Sequence, residues 1–540
     1  MRRSSLLLLL VGACRTLPEA AVRDASADSV AARAITPALL ERHTRELSSA
    51  RYEGRAPGTR AETLTVDYLE REFRRLGLRP GVGDTSYRQR FDLYSQRPTV
   101  ARGRLVLAGR ALDLALTTDF AAQATRIVPR VAIDSAPIVF VGRGVVAPEL
   151  GWDDYKDVDA RGKIVAFAFG GPPSQGSGAS YYSSPAHKLR VASARGAVGM
   201  LQLELDPVRY ARVSERLATT GVWQIETGGD GAPFLATLSP RTSLALLAAV
   251  GLDSASAAAR TAQRDFRPTT VGAASFDLTP AWRRVPTQNV VARLEGADPA
   301  RRGEYVIFTA HWDAWGKGPR GGIGRVAPGA DSINYGAADN AAGTAGLLAT
   351  AEALARLRPR PARSVVLIAT SGEERGYSGA RHYVRHPLYP LARTVAAVNL
   401  DLYGAPVGVA RDVVIWGEGR STLDDVIHGV VRGQGRRVSP DHVPEQGIFL
   451  RMDHWPFAES GVPAVSLSPG LDLVDRPAGW ARERLSEWVR NRYHAPGDTV
   501  HADWSWEGLA LDVRTSMLVG LRLARGAEWP AWKERAEFKR

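Results

Sequence analysis

Cysteine is almost absent from this sequence of 540 residues, in which Cys14 is the only one. A single cysteine excludes an internal disulfide and a zinc site built from several thiolates. Beyond its first residues the sequence also lacks any run of about 18 consecutive apolar residues, the length that a membrane-spanning helix needs. A metal site would therefore use histidine and carboxylate ligands, and a membrane attachment would have to come through a lipid.

Blocks of like charge are missing as well. The chain has 70 Lys and Arg against 57 Asp and Glu, a formal net charge of +13. The arginines are scattered singly and are not interleaved with aromatic residues, so we expect no nucleic-acid partner. The 44% hydrophobic and 24% charged residues are typical of a globular protein long enough for two or more domains. The sequence contains no internal repeat and does not indicate an oligomeric state.

The N-terminal residues predict export. A basic start, Met1-Arg-Arg, precedes a short apolar run that ends at Val11-Gly-Ala-Cys14. These last four residues resemble the bacterial lipobox, whose cysteine becomes the lipidated first residue of the mature protein. We expect residues 1–14 to be a lipoprotein signal and residues 15–34 a tether at the periplasmic face of a bacterial membrane. An ordinary signal peptide of a secreted protein is the alternative.

The pattern of helices and strands predicts a discontinuous enzyme domain. Apolar residues have helical spacing in the first part of the mature chain, where Thr36-Pro37 is a predicted helix start, and short strand-like runs follow. The next 144 residues or so are β-rich with one clear helix and no catalytic cluster. We assign residues 35–135 and 280–540 to this discontinuous domain and residues 136–279 to an insertion.

The inserted segment contains three short motifs. They are Val139-Phe-Val-Gly142-Arg-Gly144, Gly151-Trp-Asp-Asp-Tyr155 and Gly162-Lys-Ile-Val165. Together they resemble the protease-associated domain. The resemblance implies a β-rich module that caps or shapes a cleft and performs no chemistry of its own.

Candidate metal ligands follow several apolar runs between Tyr305 and Asp401. The runs are short and rich in β-branched residues, which predicts buried parallel strands whose carboxyl ends meet at one edge of a sheet. The groups that follow these runs are His311-Trp-Asp313, Glu373-Glu374 and Asp401. A fourth group, Asp339-Asn340, precedes a predicted helix of small residues. A further histidine occurs in the loop Tyr493-His494-Ala-Pro-Gly-Asp498.

Each motif has an ordinary alternative when taken alone. His311 is explained as a hydrogen-bonded histidine at a strand end, Asp339 as a helix N-cap, and His494 as an exposed loop residue. Two adjacent glutamates after a buried strand are more diagnostic, because one can bind a metal while the other stays free as a base. The coincidence of all these groups favours a shared site. Two histidines and three carboxylates suit zinc, with one carboxylate bridging two ions.

Taken in order, the motifs H-x-D, D-N, G-E-E, N-x-D and Y-H-x-P-x-D resemble those of the zinc exopeptidases of metallopeptidase family 28, in the branch that carries a protease-associated insertion. The resemblance implies a three-layer α/β/α fold with a mostly parallel central sheet and two zinc ions. It assigns His311 and Asp401 to one ion, Glu374 and His494 to the other, and Asp339 to both. Glu373 would be the general base, and Asp313 would orient His311.

The segment Arg451-Met-Asp453-His454 departs from the family pattern. It resembles the family motif R-S-D-H, but Met452 replaces the serine. Relatives place a tyrosine nearby to stabilise the oxyanion, whereas Phe449 has no hydroxyl group. His454, Arg451 and Asp453 are our candidates for contacts with the substrate or the oxyanion. An internal ion pair between Arg451 and Asp453 is the alternative.

The sequence thus predicts an exported two-zinc aminopeptidase that releases N-terminal residues from short peptides. A dipeptidase or a glutamate-type carboxypeptidase of the same fold is the first alternative, because the motifs do not locate the specificity pocket. A receptor-like binding protein and a single-zinc glutaminyl cyclase-like transferase are further alternatives. The complete ligand set and the presence of Glu373 argue against these last two.

Overall fold

A computed structural model describes residues 28–172, 181–225, 231–401 and 408–540. Cys14 and most of the predicted tether lie outside these ranges. The end of the predicted tether, residues 28–34, packs against the core, because Ala31 and Ala32 are buried and Asp28 accepts a hydrogen bond of 2.8 Å from Arg525. No helix within the described ranges combines the length and the apolar character needed to cross a bilayer.

The α-helices of the described residues are α1 Pro37–Leu47, α2 Arg60–Arg75, α3 Pro185–Ala194, α4 Pro207–Thr219, α5 Pro240–Ala248, α6 Ser254–Arg260, α7 Ala342–Arg356, α8 Ser378–Arg385, α9 Leu423–Gly433, α10 His454–Glu459, α11 Trp480–Asn491 and α12 Trp506–Arg525. The predicted start of the first helix is confirmed. Thr36 Oγ1 accepts a hydrogen bond of 3.2 Å from the Leu39 nitrogen, and Pro37 occupies the first turn, where its missing N–H costs nothing.

The strands of the described residues are β1 Arg79–Pro80, β2 Arg88–Leu107, β3 Arg110–Leu114, β4 Phe120–Ala124, β5 Val131–Phe140, β6 Val146–Ala147, β7 Trp152–Asp153, β8 Ile164–Ala168, β9 Gly199–Leu203, β10 Val222–Ile225, β11 Phe234–Leu238, β12 Thr269–Leu294, β13 Tyr305–His311, β14 Gly316–Lys317, β15 Ile333–Asn334, β16 Ser364–Thr370, β17 Thr394–Asn399, β18 Asp412–Trp416, β19 Arg437–Ser439 and β20 Ala464–Pro469.

One half of the large sheet has the strand order β19-β18-β20-β17-β13-β16-β12. Its middle is parallel: β13 pairs with β16 and β17, and β17 pairs with β20. Antiparallel pairs occur on either side, between β12 and β16 and between β18 and β20. The mostly parallel sheet that the apolar runs predict is therefore confirmed.

Alternating side chains of the central strands enter two different cores. Val306 and Phe308 pack in a cluster with residues of α1, α2, α7 and α12, whereas Ile307, between them, packs in a cluster with residues of α8 and α10. The neighbouring strand β16 shows the same alternation. Since successive side chains of a strand point to opposite faces, helices cover both faces of the sheet. This is the predicted α/β/α arrangement.

A separate hydrophobic cluster extends from Leu105 to Leu278. It includes β4, which pairs with β11, and the far ends of β2 and β12, which are 20 and 26 residues long. These two long strands pair with each other along most of their length and connect the two cores. Residues 105–135, which the sequence assigned to the discontinuous domain outside the insertion, thus contribute to the same core as the inserted segment.

Candidate metal centre

The carboxyl ends of three adjacent strands bring the predicted ligands together. β13 ends at His311, β16 is followed by Glu373 and Glu374, and β17 is followed by Asp401. Because β13 lies between β16 and β17 and runs parallel to both, these side chains converge on one edge of the sheet. All of them are shielded from solvent: the side chain of His311 is 1% exposed, and that of Glu374 is 4% exposed.

Asp339 reaches the same place from the turn before α7. The predicted alternative, an N-cap by Asp339, is wrong, since Asn340 supplies the side-chain oxygen that accepts a hydrogen bond of 3.0 Å from the Gly343 nitrogen. Asn340 also donates to the Leu400 carbonyl at 3.0 Å. A Cβ atom at Gly343 would lie 2.1 Å from that same carbonyl oxygen, so only glycine allows the helix to start this close to β17. The carboxylate of Asp339 stays free to face the site.

His494 enters from a loop almost a hundred residues farther along the chain. Its backbone is left-handed, with φ of 57°. Its ring stacks on that of Tyr493, with centroids 3.7 Å apart, and lies 5.2 Å from that of Trp315. The Nε2 atom is 3.0 Å from Asp339 Oδ2 and 3.0 Å from Glu374 Oε2. The structure therefore does not support the exposed-loop alternative.

The ligand atoms form two groups that share Asp339. His311, Asp339 and Asp401 make one group, and Asp339, Glu374 and His494 make the other, with the atoms of each group within 4.8 Å of one another. Each oxygen of Asp339 faces a different imidazole: Oδ1 lies 3.2 Å from His311 Nε2, and Oδ2 lies 3.0 Å from His494 Nε2. These are the two sets that the family resemblance implied.

Buried polar atoms without partners show that this arrangement fits two cations. His311 Nε2, His494 Nε2 and Glu374 Oε1 are all buried, and within the described residues no hydrogen bond of good geometry satisfies them, although an Asp339 oxygen lies within 3.2 Å of each of the two nitrogens. Burial raises the pKa of Asp401 to about 7, with Asp339 adding to the effect and His311 opposing it. Burying this many unpaired carboxylates is costly unless cations neutralise them, and histidine with carboxylate ligands suits zinc.

Glu373 lies at the edge of the centre without joining either ligand group. Its Oε2 atom is 4.0 Å from His311 Nε2. Burial raises the pKa of Glu373 well above its ordinary value, His311 opposes this, and Glu374 and Asp401 raise it further. A buried carboxylate with a raised pKa beside a metal centre is suited to accept a proton and return it.

Asp313 was predicted to orient His311 through its carboxylate, but its main-chain oxygen makes that contact. β13 has ended before this residue, and His311 Nδ1 lies 3.0 Å from the main-chain oxygen of Asp313 but 3.7 Å from its carboxylate. The carboxylate instead accepts main-chain hydrogen bonds from Gly372 and Glu373, at 2.7 and 3.1 Å, and pairs with Arg375 at 3.1 Å. Asp313 thus holds both the His311 ring and the turn that carries Glu373.

The predicted substrate or oxyanion contact by His454 is contradicted. Its side chain is 0% exposed and packs edge-on against Phe449, with centroids 4.8 Å apart. Burial and the neighbouring Arg420 lower its pKa to about 3, so the ring is neutral in a hydrophobic position. Asp453 is also buried, and its Oδ2 atom accepts a hydrogen bond from the Thr370 hydroxyl. Arg451 is the exposed member of this group.

Two residues that support the site were missed by the sequence analysis. Asp498 accepts hydrogen bonds of 3.0 Å from the Ala338 and Asp339 nitrogens, and so fixes the turn that presents Asp339. Arg55, fully buried, donates to four main-chain carbonyls around the site, those of Trp312, Leu47, Tyr335 and Gly336. Asp498 was within a quoted motif, but nothing in its spacing indicated which main-chain donors it would meet.

Comparison with known proteins agrees with this geometry. Residues 289–513 match the model of Peptidase family M28. Over 151 residues the chain is 28% identical to leupeptin-inactivating enzyme 1 of Streptomyces exfoliatus, a match covering 27% of this chain and 33% of that protein. Over 226 residues it is 26% identical to a probable zinc metalloprotease of Leptosphaeria maculans, covering 35% of this chain and 48% of that protein. The chain thus spans less than half the length of each of these relatives.

Among solved structures, an aminopeptidase from Aneurinibacillus sp. strain AM-1 superimposes with a TM-score of 0.49 at 18% identity, over 93% of this chain and 97% of that one. The family match begins before His311 and ends after His494, so it contains every residue of the two ligand groups. Residues 289–513 thus resemble peptidase family M28.

Proposed function

We propose that this protein is a two-zinc metallo-exopeptidase. The observation that carries the proposal is the placement of the Asp339 carboxylate between two imidazoles, with one oxygen 3.2 Å from His311 and the other 3.0 Å from His494. A carboxylate in this position can bridge two ions, and Asp401 and Glu374 complete the two ligand groups. Zinc, when bound, would acidify a water molecule and polarise the peptide carbonyl.

The remaining steps belong to residues of this chain. Glu373, which belongs to neither ligand group, accepts the proton of the attacking water and delivers it to the leaving amine. Asp313 keeps Glu373 in place through the hydrogen bond from the Glu373 nitrogen. Asp339 and Glu374 each present an oxygen at 3.0 Å from His494 Nε2, so the three side chains could hold one ion together.

We propose further that the enzyme is an aminopeptidase acting on short peptides. The proposal is supported by the family match, because the motif set resembles that of family members of the aminopeptidase type. Peptides with free and with acetylated amino termini distinguish the alternatives. Hydrolysis of the free peptides alone is the expected result. Cleavage of acetylated peptides from the carboxyl end would favour a carboxypeptidase, and cleavage of dipeptides alone would favour a dipeptidase.

We also propose that the protein is exported, with Cys14 as a lipidated first residue, and that the inserted segment is a protease-associated domain. The lipobox-like sequence Val11-Gly-Ala-Cys14 and the three motifs of the insertion support these two proposals. Mass spectrometry of the mature amino terminus tests the first. A diacylglyceryl-modified Cys14 is expected, and an unmodified terminus at another residue would contradict it.

A further inference from the structure

A cavity of about 590 Å³ opens beside the turn that carries Glu373 and Glu374. One wall comes from the inserted segment, through α3 and Trp223, and the other from α8 and α10 of the peptidase part. Gly376, in the wall, follows Glu374 by two residues, which can span at most about 7 Å. The wall of the cavity at Gly376 therefore lies close to the candidate metal centre, and the cavity is large enough for part of a short peptide.

The charged lining of this cavity is mostly cationic. It includes Arg190, Arg381 and Arg385, together with Arg126, whereas Glu459 is the single acidic residue in the described part of the lining. Glu459 is already shared by two of these arginines: it lies 3.2 Å from Arg190 and 3.4 Å from Arg381. Within the described lining, Arg190, Arg381 and Arg385 thus have the one carboxylate of Glu459 between them, which leaves an excess of positive charge among these four residues.

Arg385 accounts for this excess of positive charge. It follows Arg381 by one turn of α8, so the two guanidinium groups extend from the same side of the helix. Within the described residues the Arg385 guanidinium makes neither a hydrogen bond nor an ion pair. Burial lowers its pKa, Arg381 acts in the same direction, and Glu459 opposes both. A partly desolvated guanidinium beside another cation is stabilised by an anion, and a carboxylate matches its planar fork of donors.

We propose that Arg381 and Arg385 bind a carboxylate of the peptide substrate while the scissile bond lies at the metal centre. The carboxylate would be either the C-terminal α-carboxylate of a short peptide or the side chain of an Asp or Glu residue. Leu189, Trp223 and Val384 in the same lining contact the apolar parts of the bound segment. This inference rests on the proposed function, and it narrows the substrates to peptides with a negative charge close to the cleaved bond.

Equilibrium binding tests the inference without relying on turnover. The zinc-loaded Glu373→Gln protein is titrated with Ala-Ala-Ala, its C-terminal amide, Ala-Glu-Ala amide and Ala-Gln-Ala amide, and Kd is measured by calorimetry. At least one carboxylate-bearing peptide should bind more tightly than its neutral counterpart. Preference for Ala-Ala-Ala over its amide identifies the α-carboxylate, and preference for Ala-Glu-Ala amide over Ala-Gln-Ala amide identifies the side chain.

The Arg385→Gln substitution should then weaken binding of the preferred peptide about tenfold, as expected for losing a charge-assisted contact, and leave the neutral peptides unchanged. Arg432→Gln is the matched control, because Arg432 is exposed on α9 and does not line the cavity. Equal affinities for charged and neutral peptides, or equal losses for both in Arg385→Gln, would overturn the inference. Such a result leaves the proposed function intact if the wild-type enzyme still cleaves peptides, whereas absence of any cleavage refutes the proposed function itself.

Discussion

The Asp498 side chain fixes the main chain of Asp339, because Oδ2 of Asp498 accepts a hydrogen bond of 3.0 Å from the Asp339 nitrogen. The other oxygen accepts from Ala338 at 3.0 Å. Replacing Asp498 by Asn turns one acceptor into an NH₂ group that faces a main-chain N–H, so the turn should shift and Asp339 should lose its position between the two histidines.

We expect Asp498→Asn to lower zinc affinity about 10- to 100-fold, the usual effect of removing an outer partner of a ligand. Competition with a chromogenic chelator measures it. Asp503→Asn is the control, because Asp503 is half-exposed and pairs with Arg484 at the surface. Unchanged zinc affinity in Asp498→Asn would show that the turn keeps its shape without this carboxylate.

Glu373→Gln separates catalysis from metal binding. Since Glu373 belongs to neither ligand group, the variant should keep its zinc. An amide cannot accept the proton of the attacking water, so kcat should fall about 10²- to 10⁴-fold. Zinc analysis and peptide hydrolysis on the same preparation test both statements, with Glu374→Gln as the comparison that loses metal. Hydrolysis at the normal rate by Glu373→Gln would refute the assigned role.

Arg55 is expected to dominate the stability of the loops around the site. Replacing it with Met leaves buried carbonyls, such as those of Trp312 and Gly336, without their donors. We expect the free energy of unfolding to fall by about 3 kcal/mol or more. Urea denaturation measures the loss. Arg45→Met is the control and should cost less than about 1 kcal/mol, because its ion pair with Glu41 is exposed.

Most of the ligands could be predicted from the sequence because they follow or precede a regular element with a strong signal, whereas His494, in a loop, was indicated by its resemblance to a family motif. Short β-branched runs ending at His311 and before Glu373 indicate buried parallel strands, and such strands deliver their ends to one edge of the sheet. The contacts of Asp313 and Asp498 could not be predicted, because they depend on which main-chain donors approach each carboxylate. The sequence alone does not show which main-chain segments come within hydrogen-bonding distance of a given carboxylate.

The sequence did not indicate the burial of His454 or the shared strand at the domain boundary, and both have a physical reason. The short helix α10 has apolar residues on all sides, so the sequence does not indicate that His454 points into the core next to Phe449. The sequence places the domain boundary at Ala136, yet β12 contributes side chains to both cores and pairs with β2, whose far end belongs to the second core. A strand shared by two cores gives no compositional signal at the boundary.

The buried Lys188 of the inserted segment should make the free energy of unfolding depend on pH. It is 1% exposed, and its Nζ donates to the carbonyls of Ala168 and Gly170 at 3.1 and 3.0 Å. Burial lowers its pKa from 10.5 to about 7, with Asp154 opposing and Arg143 contributing. Between these two pH values the unfolded chain binds a proton that the folded protein does not. The contribution of Lys188 to the free energy of unfolding therefore rises with pH across this window.

Lys188→Met removes that dependence. The stability of the variant relative to wild type should be highest near pH 6 and should fall by about 2 to 3 kcal/mol between pH 7 and pH 9, since one pKa unit corresponds to about 1.4 kcal/mol. Denaturant unfolding at several pH values measures it, with the partly exposed Lys163→Met as control. A difference independent of pH would mean that Lys188 keeps an ordinary pKa in the folded protein.

The zinc content of the purified protein and of two ligand variants, determined by mass spectrometry of the metals, tests the central claim most directly. The account predicts two zinc ions per chain in the wild type, about one in His494→Ala, and a loss from both positions in Asp339→Asn, because only Asp339 belongs to both ligand groups. A wild-type protein that binds no zinc, or variants that retain two ions, would contradict the two-metal centre.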